Sequence, residues 1–174
     1  VTSLSDFFRT TLSKGHDYIT VKEERTHIES YLEIQQFRYQ DILDYEIQMD
    51  EKIYGYIIPK LTLQPLVENA LYHGIKNKRG KGKILITGKK QGDKIIFQVI
   101  DNGKGMTEEE LNSLRKKMAG TDTGDEAKGF GVSNVNQRIK YYYGGEYGVF
   151  FESKENEGTN ATIIIAAKNI QLLS

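Results

Sequence analysis

The chain has 174 residues, enough for one compact domain with a short appended element, and its 38% hydrophobic fraction can fill a core of that size. Its 24 Lys+Arg balance 24 Asp+Glu, which argues against a general nucleic-acid binder, because such a protein needs excess positive charge to displace counterions. The absence of cysteine excludes disulfides, thiolate metal sites and cysteine nucleophiles, and no apolar run approaches the ~20 residues that span a bilayer.

Val1-Thr2-Ser3 carries neither an initiator Met nor a signal-peptide pattern, so the chain reads as a piece of something longer. Leu4, Phe7, Phe8 and Leu12 recur at helical spacing, and Lys14-Gly15 stops that run. Thr20-Val21-Lys22-Glu23 is a capping box that opens a second helix, expected to run to about Tyr39 with one buried face. A strand is predicted from Leu43 to Met49, where apolar and polar residues alternate, and Pro59 is read as a break. The next helix places Leu63, Leu66, Val67, Ala70 and Leu71 on one face, with Pro65 near its start and Gly74 closing it. The basic stretch Lys76 to Lys83 is read as a solvated loop.

Lys83 to Lys90 and Lys94 to Ile100 form a predicted hairpin around Gln91-Gly92-Asp93. After Asp101-Asn102-Gly103-Lys104-Gly105, Thr107 to Glu110 is another capping box, opening a helix with Leu111, Leu114 and Met118 inward. Ala119 to Lys128 is polar and reads as a mobile loop. Gly129-Phe130-Gly131 opens a helix with Val132, Val135, Ile139 and Tyr142 on one face, ended by Gly144-Gly145, and strands Tyr147 to Glu152 and Thr159 to Ala167 close the chain. Helices mixed with hairpins predict an α+β fold, a two-layer sandwich with helices on one face of a mixed, mostly antiparallel sheet.

Several familiar motifs are missing. There is no P-loop, no complete dinucleotide fingerprint, no His-Glu-x-x-His and no EF-hand loop, and His16 and His27 read as structural or surface residues. Three weaker motifs remain, in a fixed order. In Leu66-Val67-Glu68-Asn69-Ala70-Leu71-Tyr72-His73-Gly74, Asn69 lies off the apolar stripe. Its amide oxygen there suits a hard cation such as Mg²⁺, though taken alone the motif favours a plain surface asparagine. In Asp101-Asn102-Gly103-Lys104-Gly105-Met106, a strand-end carboxylate can accept from an adenine amine, and the glycines let the backbone approach a ligand; an ordinary turn is the alternative. In Gly129-Phe130-Gly131-Val132-Ser133-Asn134, glycines before a helix can present backbone N–H groups to phosphate, or simply link two elements.

Together the three resemble the N, G1 and G2 boxes of the GHKL ATPase superfamily. The finer resemblance is to sensor histidine kinases of the LytS/YesM-like subgroup. It is carried by Leu4-Ser5-Asp6-Phe7-Phe8-Arg9, Val21-Lys22-Glu23-Glu24, Tyr31-Leu32-x-Ile34-Gln35, the stretch Pro59 to Ala70 with His73-Gly74, Gly131-Val132-x-Asn134-Val135-x-x-Arg138-Ile139, and Gly158-Thr159. The resemblance implies a Bergerat-type sandwich over 41–174, with 1–40 as the end of a dimerisation and phosphoacceptor region plus a connecting helix. It implies that ATP is bound with Mg²⁺ held by Asn69, and that adenine is read by Asp101, with Thr159 helping through a water. Gly103, Gly105 and Met106 would border the base. Ala119 to Lys128 would form a lid, Gly129 and Gly131 would contact the phosphates, and Phe130 and Val132 would be among the nucleotide-binding residues.

The γ-phosphoryl would pass to a histidine outside this chain and then to an aspartate on a response regulator receiver domain. The whole protein would be a dimeric bacterial membrane protein with this part in the cytoplasm, and nucleic acid would not be a partner. A GHKL nucleotide-binding or ATPase module without kinase activity is the alternative. Two positions depart from the pattern. Tyr72 stands where a lysine is common, so His73 or Lys76 is expected to supply the missing charge. Pro65 stands where gyrase-like relatives carry the glutamate that activates water.

Overall fold

The computed structural model describes residues 17–120 and 130–169, without the Phe130 side chain. The expected first helix around Leu4 to Leu12, the 121–128 part of the expected lid, and Gly129 lie outside the described residues. The elements are β1 (Tyr18–Thr20), α1 (Val21–Arg38), β2 (Leu43–Met49), a 3-10 turn (Glu51–Ile53) and β3 (Ile57–Pro59). Then come α2 (Gln64–Asn69), which continues as a π-helical segment (Ala70–Ile75), β4 (Gly82–Gln91), β5 (Lys94–Asp101), α3 (Glu108–Met118), α4 (Phe130–Tyr143), β6 (Gly148–Lys154) and β7 (Gly158–Ala166).

Five strands form one sheet in the order β2-β4-β5-β7-β6. Only β2 and β4 run parallel; the other pairs are antiparallel. The register puts Ile84, Ile86 and Gly88 in line with Asp101, Val99 and Phe97, and those in turn with Thr159, Ala161 and Ile163. This face is buried and merges with apolar residues from all four helices in one core. The opposite face carries Thr87, Gln98 and Thr162 in the same rows, half-buried. The period-2 alternation in the sequence thus becomes a sheet covered by helices on one side, the expected α+β sandwich.

Two short elements escaped the sequence reading. β1 and β3 pair antiparallel, with Pro59 opposite Tyr18. Pro59 is therefore the last residue of a strand rather than a break, tolerated at a strand end where no ladder donor is missed. Both capping threonines act as expected. Thr20 accepts from the Glu23 N–H at the start of α1, and the full reciprocal box of Thr107 and Glu110 opens α3.

Candidate functional site

A cleft of about 510 Å³ opens between the α2 π segment, the β5–α3 turn and α3; Asn69, His73, Gly74, Asp101, Met106 and Thr159 are among its lining residues. Its floor is Asp101, the last residue of β5, which sits opposite Ile84 on one side and Thr159 on the other. The side chain is 5% exposed. Oδ1 accepts the Gly103 N–H at 2.9 Å. Burial pushes the carboxyl up to about 6, opposed by N–H groups from Gly103 and Thr159 and by the charge of Lys78.

Glycines make that floor possible. A Cβ on Gly74 would stand 2.6 Å from Asp101 Oδ1, and one on Gly103 would strike the Gly74 backbone. The Lys104 N–H then bonds Gly74 O at 3.1 Å. Gly74 was read as a helix stop, but it lies inside the π segment, where the Lys76 N–H reaches Leu71 O. Its glycine identity answers to the close approach of helix and strand end, not to a cap. Gly105 has φ +68, and a Cβ there would strike Lys154 O. Gly158, at φ +115, has no room for a Cβ because Asp101 O lies against it. Together these close contacts lock the β5–α3 turn against the β6–β7 hairpin.

Met106 and Thr159 meet through a residue that sequence reasoning missed. Ser153 Oγ accepts the Met106 N–H at 2.9 Å, donates to Gly158 O at 2.9 Å and lies 2.8 Å from Thr159 Oγ1. The signal was faint: Ser153 becomes the partner of Thr159 only once the β6–β7 register is known. Lys104, Ser113 and Lys117 also line the cleft and were not singled out.

The remaining expected residues divide. Asn69 and His73 line the cleft, at and just after the change from α to π winding. Lys76 does not. Its ammonium is 3.2 Å from Tyr39 Oη and lies over the Tyr39 and Tyr72 rings, 4.9 and 4.7 Å from their centroids. Val132 is 4% exposed, so its side chain belongs to the core. Gly131 is exposed in the first turn of α4, where a Cβ would meet only Pro65 Cβ at 3.5 Å. Glu68, beside Asn69, accepts from Gln64 Nε2 at 2.9 Å and is not a lining residue.

Among the described residues no group of three or more His, Asp or Glu side chains is arranged to hold a metal. A cation in this cleft would draw most of its ligands from phosphate and water. That is how Mg²⁺ is commonly held with nucleotides, and a lone amide oxygen at Asn69 fits it.

Residues 59–169 match the family model described as histidine kinase-, DNA gyrase B-, and HSP90-like ATPase, and residues 1–43 match the histidine kinase model. Over 97% of its length the chain is 32% identical to the sensor histidine kinase YesM of Bacillus subtilis and 30% identical to the sensor protein LytS of Staphylococcus saprophyticus. It spans only 27% and 28% of those relatives, about a quarter of each. The fold matches a nucleotide-free catalytic domain of the histidine kinase ThkA, with TM-score 0.64 and 19% identity over 87% of this chain and 97% of that one. With its cleft built on Asn69, Asp101 and the glycines that frame them, this chain belongs to the histidine kinase-, DNA gyrase B-, and HSP90-like ATPase family, as an ATP-binding domain of the histidine kinase type.

Proposed function

We propose that the chain is the catalytic part of a bacterial sensor histidine kinase, binding Mg-ATP in the Asp101 cleft and passing its γ-phosphoryl to a histidine of the longer protein. The observation that carries this reading is the buried Asp101 carboxylate, held by the Gly103 N–H beneath Gly74 and flanked by Thr159. A buried acceptor so framed suits the exocyclic amine of adenine. The Ser153–Thr159 hydroxyl pair suits a water that bridges to the ring.

The phosphates then extend toward Asn69, whose amide oxygen ligates Mg²⁺, and toward the first turn of α4 around Gly131. Tyr72 stands where the resemblance leads one to expect a lysine, and its ring carries the Lys76 ammonium. Phosphate charge falls instead to His73, with Lys104 and Lys117 from the opposite walls. In the transfer, the γ-phosphorus separates from the β,γ-bridging oxygen, which leaves with ADP, and bonds to the lone pair of an unprotonated imidazole nitrogen, the proton on the other ring nitrogen passing to solvent. Positioning and charge neutralisation are the protein's share of that step.

His27 is not the acceptor: it is fully buried and bonded through Nε2 to Gln64 Oε1. A receiver-domain aspartate of a response regulator takes the phosphoryl next. The longer protein is a homodimer anchored in the membrane with this part in the cytoplasm; among the described residues no helix is long and apolar enough to cross a membrane. Calorimetry with Mg-ATP on the parent chain and on Asp101→Asn tests the site, with a loss of at least tenfold expected in the variant. Labelled ATP supplied with a phosphoacceptor fragment of a relative tests the chemistry. Nucleotide binding without label on that fragment's histidine would leave an ATPase or a nucleotide sensor.

A further inference from the structure

Outside the residues that line the Asp101 cleft, the molecule buries a carboxyl group that the chemistry above does not use. Glu24 on α1 is fully buried, and its carboxyl group faces backbone N–H donors of the 61–63 turn. Oε1 accepts the Leu63 N–H at 2.9 Å and Oε2 the Leu61 N–H at 3.3 Å. From the other side, Arg138 of α4 donates through Nη2 to Leu61 O at 2.9 Å. Leu61 is thus bracketed by a carboxyl group on one helix and a guanidinium on another.

It needs such a bracket, because Leu61 has φ +59, a left-handed conformation that leucine rarely adopts. Thr62, also fully buried, ties the same turn by donating to Pro59 O at 2.6 Å. The turn leads directly into α2: the Leu66 and Val67 N–H groups both bond Leu63 O. A second polar link follows one turn along. His27 of α1 bonds Gln64, which holds Glu68, the neighbour of Asn69.

We propose that Glu24 and Arg138 form a latch that fixes α2, and with it Asn69, to the positions of α1 and α4, making Glu24 a positioning residue for the metal-bound phosphates. α1 lies within the residues that match the histidine kinase model, whereas Asn69 and Arg138 lie within the ATPase match. A shift of α1 therefore reaches the nucleotide through this turn. The inference rests on the reading of the cleft as an Mg-ATP site.

The test uses the 174-residue chain with Glu24→Gln, which keeps the volume but sets an amide NH₂ against a backbone N–H. Arg138→Lys serves as a second, milder variant, and Val21→Ala as a control that loosens α1 without touching the latch. Affinity for ATP is measured with Mg²⁺ and with EDTA, and amide hydrogen exchange is followed across residues 64–75. Glu24→Gln is expected to weaken Mg-ATP tenfold or more, to change metal-free ATP less than threefold, and to speed exchange in 64–75. Val21→Ala, even at a similar loss of melting temperature, leaves both affinities within twofold.

Equal losses with and without metal would assign Glu24 a general structural role and overturn the proposal, as would unchanged affinity and exchange. If Glu24→Gln does not fold, Arg138→Lys is judged by the same criteria. A parent chain that fails to bind Mg-ATP refutes the reading of the cleft, while the exchange result still decides whether the latch holds α2.

Discussion

Asp101 couples ligand binding to pH through its own burial. Its ordinary value is 3.8, raised in the fold to about 6. On the proposed reading adenine uses this carboxylate as an acceptor, so affinity for nucleotide is expected to fall as pH drops through 6. One unit below that value about a tenth of the molecules remain ionised, an approximately tenfold loss. Titration calorimetry between pH 5 and 8 reads this directly, and Asp101→Asn should flatten the profile. Stability of the ligand-free chain moves the other way. Between 3.8 and about 6 the native state holds a proton that the unfolded state has released, so stability falls as pH rises through that window. Glu24, raised by burial from 4.5 to about 7, acts in the same sense over 4.5 to 7. Thermal melts without nucleotide should therefore rise on mild acidification while binding weakens. Gly74 shows how little slack Asp101 has. A methyl there would stand 2.6 Å from Oδ1, which is already committed to the Gly103 N–H. Gly74→Ala is expected to fold with reduced stability and to lose nucleotide affinity by more than tenfold, as calorimetry would show.

Among the elements, legibility followed period and length. β2, β4, β5 and β7 were readable because four or more alternating positions declare a half-buried strand. β1 and β3 were not, since three residues hold no period and one of them is Pro59. α2 was legible as a helix but not as one that widens to π winding after Asn69, where Gly74 comes close to Asp101 at the end of β5, an approach that composition does not print. Asn69, Asp101 and Thr159 were found through motifs. Ser153 joins Met106 and Thr159 behind the cleft through strand register, and Lys117 lines it through helix placement, neither of which a single sequence prints. The proposed latch was hidden for a different reason: Glu24 sits on a helix rich in charge yet is fully buried, and His27, read as structural or surface, proves fully buried as well. α4 allows a sharper test. Gly131 is helical and exposed, and a methyl there meets only Pro65 at 3.5 Å. Gly131→Ala should keep or raise stability, by up to about 1 kcal/mol from helix propensity. Any fall in Mg-ATP affinity in that variant then reports phosphate lying where the methyl would sit. Unchanged affinity would move the phosphates away from this turn.

For the whole molecule the question is whether the cleft hands phosphoryl to protein or to water. Rapid hydrolysis needs a carboxylate poised to take a proton from water near the γ-phosphate. The nearest by sequence, Glu68, is drawn off by Gln64, and Pro65 occupies the place of the gyrase-type glutamate. Glu109 and Glu110 line the cleft from α3, across from Asn69, and Glu110 is committed to the Thr107 capping box. On the proposed reading such a cleft stabilises charge on the phosphates and leaves Glu109 of α3 as the carboxylate to test as a base for water. The chain alone is therefore expected to release phosphate from ATP more slowly than it labels a histidine fragment supplied in trans, with both rates measured at the same saturating Mg-ATP. His27 should remain unlabelled on peptide mapping, since phosphorylation would require α1 to leave Gln64 and the core. Phosphate release at or above the labelling rate would place the chain with the hydrolysing members of its family. Glu109→Gln would then show whether α3 supplies the missing base.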